Sequence, residues 1–127
     1  MTLIRIYVIL KLVMLLVSKE NRRFARINLH VPVRFQVRGH TEANSGLSDD
    51  LSQGGLSLIS DGFLATSATL MLEIGLPLHL LRPIGRVAWS QPLPRSNKNR
   101  LGIEFLEIDR RERNYLGEYI NMRRGEF

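Results

Sequence analysis

The sequence predicts an all-β domain, an antiparallel barrel or sandwich finished by one C-terminal α-helix. Three observations predict it. Apolar residues recur at every second position in several short runs, which is the period of a half-buried strand. Gly, Pro, Ser, Asn and Asp cluster between those runs, so the connections read as turns rather than as the helical crossovers of βαβ units. The chain has 127 residues, 44% of them apolar and 24% charged. That suffices for one core and leaves no length for a separate cofactor lobe. No internal repeat or low-complexity tract interrupts the pattern.

The first segment, Met1 to Val17, is apolar except for Thr2, Arg5 and Lys11. A membrane span takes about 20 apolar residues with few charges, and this run falls short of that. Val17-Ser18-Lys19-Glu20 lacks the small-residue cleavage site of a secretory signal. The segment reads first as a helix or strand packed on the domain or on a partner. Membrane contact is the alternative, and a start codon set too far upstream is a third.

The strands follow. Val31, Val33, Phe35 and Val37 alternate with Pro32, Arg34, Gln36 and Arg38, which predicts a strand with one buried face. Gly39 to Asp49 reads as a loop. It runs into a short strand around Leu56 and Leu58, which Asp61-Gly62 ends. Leu70, Leu72 and Ile74 alternate before Gly75 and Pro77. Ile84 to Ser90 is the next strand, with Val87 and Trp89 in phase, so Trp89 is expected in the core rather than on a binding surface. A loop over Gln91 to Asn99 precedes the last strand, in which Leu101, Ile103 and Phe105 alternate with Gly102 and Glu104. Asp109 then caps a helix with Glu112 in its first turn, a stripe of Tyr115, Leu116, Tyr119 and Ile120, and Arg123 and Arg124 at its end. The acid near the start and the bases near the end suit the helix dipole. The apolar stripe must cover a mouth or flank of the barrel.

Charge and composition narrow the function. There is no cysteine, which removes thiolate chemistry and cysteine-ligated zinc and suits a reducing, cytoplasmic setting. The three histidines, His30, His40 and His79, have no ligand spacing, so no metal is expected. The net charge is +6, and fifteen of the eighteen bases are arginine, whose planar fork pairs bidentately with phosphate, carboxylate or a guanine edge. Lys19 to Arg38 holds six bases and one acid, His40 to Leu81 five acids and no base, and Arg82 to Arg100 five bases and no acid. That patchwork favours a compact anion site over the continuous basic face of a duplex binder. No G-x-S-x-G elbow, phosphate-binding glycine loop or aligned carboxylate pair is present, so an enzyme is not expected.

Two short segments carry the candidate chemistry. Arg22-Arg23-Phe24-Ala25-Arg26 precedes the first strand, and its outer arginines fall on one side of either a helix turn or an extended stretch. Asp50-Leu51-Ser52-Gln53-Gly54-Gly55 puts a carboxylate and a hydroxyl two residues apart on one strand face, beside glycines that permit a tight turn and close approach of a ligand. A carboxylate can accept from two adjacent donors, which the Watson–Crick edge of guanine offers, while arginine reads its N7 and O6. The set fits a guanine nucleotide carrying phosphates.

These motifs resemble those of the PilZ domain, the receptor module for the bacterial second messenger cyclic di-GMP. Its R-x-x-x-R element is similar to Arg22 to Arg26, and its D/N-x-S-x-x-G element to Asp50, Ser52 and Gly55. The later G-x-V-x-W and G-x-x-F strands are similar to Gly85, Val87 and Trp89, then Gly102 and Phe105. The resemblance covers about Lys19 to Ile120. It implies a six-stranded antiparallel barrel over residues 31–107, an arginine-rich arm over 19–30 and a helix over 108–124, with the apolar segment over 1–18 preceding them. It implies that Arg22 and Arg26 clamp phosphates and guanine Hoogsteen edges, that Asp50 and Ser52 bind a guanine, and that Gly55 leaves space for it. Arg23 either adds a phosphate contact or faces water. Asn21 stands where an extra arginine goes with a stacked nucleotide dimer, which favours one ligand per site.

Residues Lys19 to Ile27 carry several like charges with little to bury, so the arm is expected to be mobile and to order on a dianionic ligand. An ordered arm can create a surface for a downstream protein, and Met1 to Val17 is the attached candidate for output. That role is contradicted if deleting residues 1–17 leaves partner interactions and their ligand dependence unchanged. Two other readings stay open: a PilZ-like adaptor that binds no nucleotide, and a basic barrel that binds single-stranded nucleic acid with steep salt dependence.

Overall fold

The computed structural model describes residues 24–62 and 64–125. Among the described residues, eight strands precede one helix: β1 (Ile27–Asn28), β2 (Pro32–Val37), β3 (Ala43–Ser52), β4 (Gly55–Ser60), β5 (Thr69–Gly75), β6 (Leu80–Leu81), β7 (Ile84–Pro92), β8 (Asn99–Glu107) and α1 (Arg110–Arg123). Six of them pair in the closed order β3-β2-β5-β7-β8-β4 and back to β3, while β1 extends β3 and β6 extends β5. All pairings are antiparallel. Closure removes the free edges that an open sheet of short strands would expose.

The alternating residues meet inside. Val33 and Phe35 of β2, Leu56 and Leu58 of β4, Leu70, Leu72 and Ile74 of β5, Val87 of β7 and Leu101, Ile103 and Phe105 of β8 are all buried. Each fully buried aliphatic side chain contributes about 1.5–3 kcal/mol relative to exposure. Leu116 and Ile120 of α1 join the same core, so the stripe on the helix covers the barrel as the pattern requires.

The segment expected to be a loop is largely strand. Only Gly39, at φ 86°, and its neighbours turn; from Ala43 onward the backbone pairs with β2, Gln36 opposite Ala43 through Pro32 opposite Leu47. The apolar alternation that marks a strand is missing here because Ala43, Asn44, Ser45 and Leu47 are exposed; backbone pairing, not a buried face, defines this half of β3. Gly46 lies so close to β4 that a Cβ would stand 2.9 Å from the Ile59 carbonyl oxygen. Likewise Gln91 and Pro92 belong to β7 rather than to the following loop.

The arm is also less free than its charge suggests. Ile27 and Asn28 pair with Leu51 and Asp50, and Ala25, Ile27 and Leu29 pack against the core. That alternation supplies the burial that the charged residues hide. Ser48 fastens the gap between β1 and β2: its hydroxyl accepts from the Val31 N–H at 3.0 Å and donates to the Leu29 carbonyl. The candidate output segment, Met1 to Val17, and the Lys19 to Arg23 part of the arm expected to be mobile over Lys19 to Ile27 lie outside the described residues. Among the described residues no helix is long and apolar enough to cross a membrane.

Asp109 caps α1 as expected, accepting from the N–H groups of Arg111 at 2.8 Å and Glu112 at 3.4 Å. Glu112 does not reach back to the cap; its carboxylate accepts from the Arg82 N–H at 3.1 Å and ties the helix to the β6–β7 connection. Asp109→Ala is expected to lower stability by about 1 kcal/mol, read as a lower urea midpoint with an unchanged slope.

Candidate functional site

The β3–β4 hairpin builds the first wall of the site. Ser52 pairs with Gly55 across the two-residue turn Gln53-Gly54. The Ser52 hydroxyl is buried, accepts from the Gly54 N–H and donates to the Gly55 carbonyl, each at 3.2 Å. It therefore holds the turn, and Ser52 also lines the groove described below. Gly55 is required for an equally internal reason. A Cβ there would lie 2.0 Å from the Ile103 carbonyl oxygen on β8, so the missing side chain makes room for the barrel wall.

Asp50 sits two residues before the turn, opposite Ser57. One carboxylate oxygen accepts from the Ser57 N–H at 3.2 Å, and the other faces Arg26 at 3.7 Å. The pairing of β1 with Leu51 and Asp50 brings Arg26, the residue just before β1, to this carboxylate. Arg26 is 60% exposed and Asp50 25%, so the pair is solvent-screened and worth little to stability. The carboxylate stands beside a guanidinium that remains accessible.

Arg26 opens onto a groove of about 440 Å³, within the range of small-ligand sites. Phe24, Ser52, Gly54, Ser57, Trp89 and Arg113 are among its lining residues; Asp50 is held next to two of the lining residues, Ser57 and Arg26. The Ser57 hydroxyl is buried without a hydrogen-bond partner. Of the six residues singled out in the sequence, the structure brings Arg26, Asp50, Ser52 and Gly55 together, while Arg22 and Arg23 lie outside the described residues.

Trp89 is not a core residue. The β7–β8 register shifts between Val87, opposite Ile103, and Trp89, opposite Gly102. This bulge puts an extra residue on β7 and turns the indole out of phase with Val87. It is 43% exposed and lies over Gly102, where a Cβ would come within 2.1 Å of its Nε1. Periodicity alone could not reveal the bulge, although the glycine paired with the tryptophan was a sign of close approach. Ser57 was legible in principle: a two-residue turn at Gln53-Gly54 fixes it opposite Asp50. Arg113 comes from the helix, and nothing local in the sequence connects it to the groove.

A second groove of about 360 Å³ lies around Phe35, Met71 and Pro83. Its one carboxylate, Glu73, faces both Arg34 at 3.7 Å and Arg82 at 3.3 Å, and none of the motif residues lines it. Among the described residues no group of three His, Asp or Glu side chains could hold a metal ion.

A family model of the PilZ domain matches residues 20–122. Solved structures share the fold. The Bacillus subtilis inhibitor of motility, MotI/DgrA, has a TM-score of 0.71 at 24% identity, over 80% of this chain and 50% of that one. The PilZ domain of YcgR from Escherichia coli, solved with c-di-GMP, has a TM-score of 0.63 at 14% identity, over 79% and 88%. The Borreliella burgdorferi PlzA protein, in complex with c-di-GMP, has a TM-score of 0.63 at 19% identity, over 87% and 46%. The chain thus spans about half the length of MotI/DgrA and of PlzA. A sequence search of curated proteins returned no match.

Proposed function

The chain belongs to the PilZ domain family, and from that premise we propose that it is a cyclic di-GMP receptor that passes the messenger level to a downstream protein. The observation that carries this reading is the meeting of the two motifs: Arg26, which lines the groove together with Ser52 and Gly55, stands 3.7 Å from Asp50, distant from it in sequence. A guanidinium beside a carboxylate offers donors to the acceptor edge of guanine and to phosphate, and an acceptor to the guanine donor edge.

In this reading Arg22 and Arg26 hold phosphates and Hoogsteen edges, and Arg23 adds charge. Asp50 takes a guanine N–H edge. Ser52 and Gly55 act by shaping the hairpin that presents Asp50. Trp89 gives the guanine an apolar face to lie against, a contact worth about 1–3 kcal/mol per base in stacked complexes. The role is that of a binding module, and the complexes of YcgR and PlzA with c-di-GMP support the choice of ligand over single-stranded nucleic acid.

Trp89 is the chain's only tryptophan, so its emission reports on the groove alone. Adding cyclic di-GMP should change that emission saturably, GTP at equal concentration should not, and Arg26→Ala should weaken the response at least tenfold. A flat titration with the fold intact would remove the indole from the site.

A further inference from the structure

The groove has three charged lining residues that the described structure accounts for differently. Arg26 is paired with Asp50 at 3.7 Å, and Glu104 with Arg86 at 3.1 Å. Arg113, exposed on the second turn of α1, lines the same groove and has no ion-pair partner among the described residues. A groove whose other charges are matched in pairs therefore carries one uncompensated positive charge, and it is on the helix. Unmatched guanidinium at a concave surface is where an anion gains most and displaces least.

The helix is also joined to the hairpin by a specific contact. The Gln53 side-chain amide donates to the Arg113 carbonyl at 3.1 Å. Gln53 reaches it across Gly117, where a Cβ would come within 2.2 Å of the Gln53 Nε2. Gln53 lies inside the turn that Ser52 and Gly55 close, so the hairpin that presents Asp50 and the helix that presents Arg113 are held at a fixed separation.

We infer that Arg113 is a third ligand-contacting guanidinium, reaching a phosphodiester of the bound dinucleotide from the helix, and that helix α1 is thereby part of the site. The inference rests on the cyclic di-GMP reading. Binding then bridges the hairpin and the helix, and α1 is held more tightly on the barrel in the bound state. Occupancy is thus readable on the outer face of α1.

The test compares the full chain with Arg113→Ala and Arg110→Ala by calorimetry with cyclic di-GMP. Arg110→Ala removes the same charge from the same helix without touching the groove. Arg113→Ala should bind about tenfold more weakly and Arg110→Ala within about twofold of the wild type. Ligand should slow amide exchange over residues 110–123 in the wild type and less so in Arg113→Ala. Equal affinity of Arg113→Ala and wild type overturns the inference, and so does an equal loss in Arg110→Ala, which would mark a long-range field rather than a contact. A wild type that binds no cyclic di-GMP fails at the earlier step and discards the receptor reading together with this one.

Discussion

Asp50→Ala is expected to weaken cyclic di-GMP binding by about 2 kcal/mol or more, roughly thirtyfold. Two losses combine. The guanine donor edge loses its acceptor, and Arg26 loses the carboxylate that orients it at 3.7 Å. The Ser57 N–H also loses its 3.2 Å partner, so the hairpin itself is disturbed. Asp50→Asn separates these terms. The amide oxygen can still accept from Ser57 while the charge is gone, and the family motif admits Asn at this position. Asn should therefore keep the thermal midpoint of the wild type and bind better than Ala. Titration of all three proteins, with melting curves beside it, checks this; equal affinity for wild type and Ala would remove Asp50 from the site.

Gly55→Ala should unfold the barrel more readily than any exposed substitution. The new methyl would meet the Ile103 carbonyl oxygen at 2.0 Å, the Ile103 carbonyl carbon at 3.1 Å and the Glu104 Cα at 3.3 Å. All three are backbone atoms of β8, a strand paired with both β4 and β7, so no flexible side chain can yield. Overpacking of this kind costs about 3 kcal/mol or more, a fall of roughly 10 °C in thermal midpoint for a domain of this size. Gly62→Ala is the matching control. Nothing lies within 4 Å of a Cβ there, and its midpoint should stay within the small scatter of surface changes, about 0.5 kcal/mol. A Gly55→Ala protein that melts like the wild type but loses ligand would return Gly55 to the direct role that the motif alone implies.

Legibility in the sequence followed burial. Strands with one face inside, such as Val33 and Phe35 or Leu70, Leu72 and Ile74, were readable from alternation, and the Asp109 cap from side-chain chemistry. The first half of β3 was not, because Ala43 to Leu47 buries no regular face and is strand only by its pairing with β2. Trp89 was misplaced by one inserted residue on β7, since a bulge reverses the face of everything beyond it. The site divides the same way. Arg26, Asp50, Ser52 and Gly55 sit in short motifs that can be read locally. Yet the work of Ser52 and Gly55 inside the hairpin, and the presence of Ser57, Trp89 and Arg113 around the groove, depend on strand register and helix packing that no single segment encodes.

Calorimetry of the intact chain with cyclic di-GMP, at near-physiological salt and with GTP as the control, tests the central claim most directly. The account predicts saturable binding at micromolar concentration or below, no comparable heat with GTP, and loss of the signal in Arg26→Ala. A folded protein that gives no heat with cyclic di-GMP would contradict it.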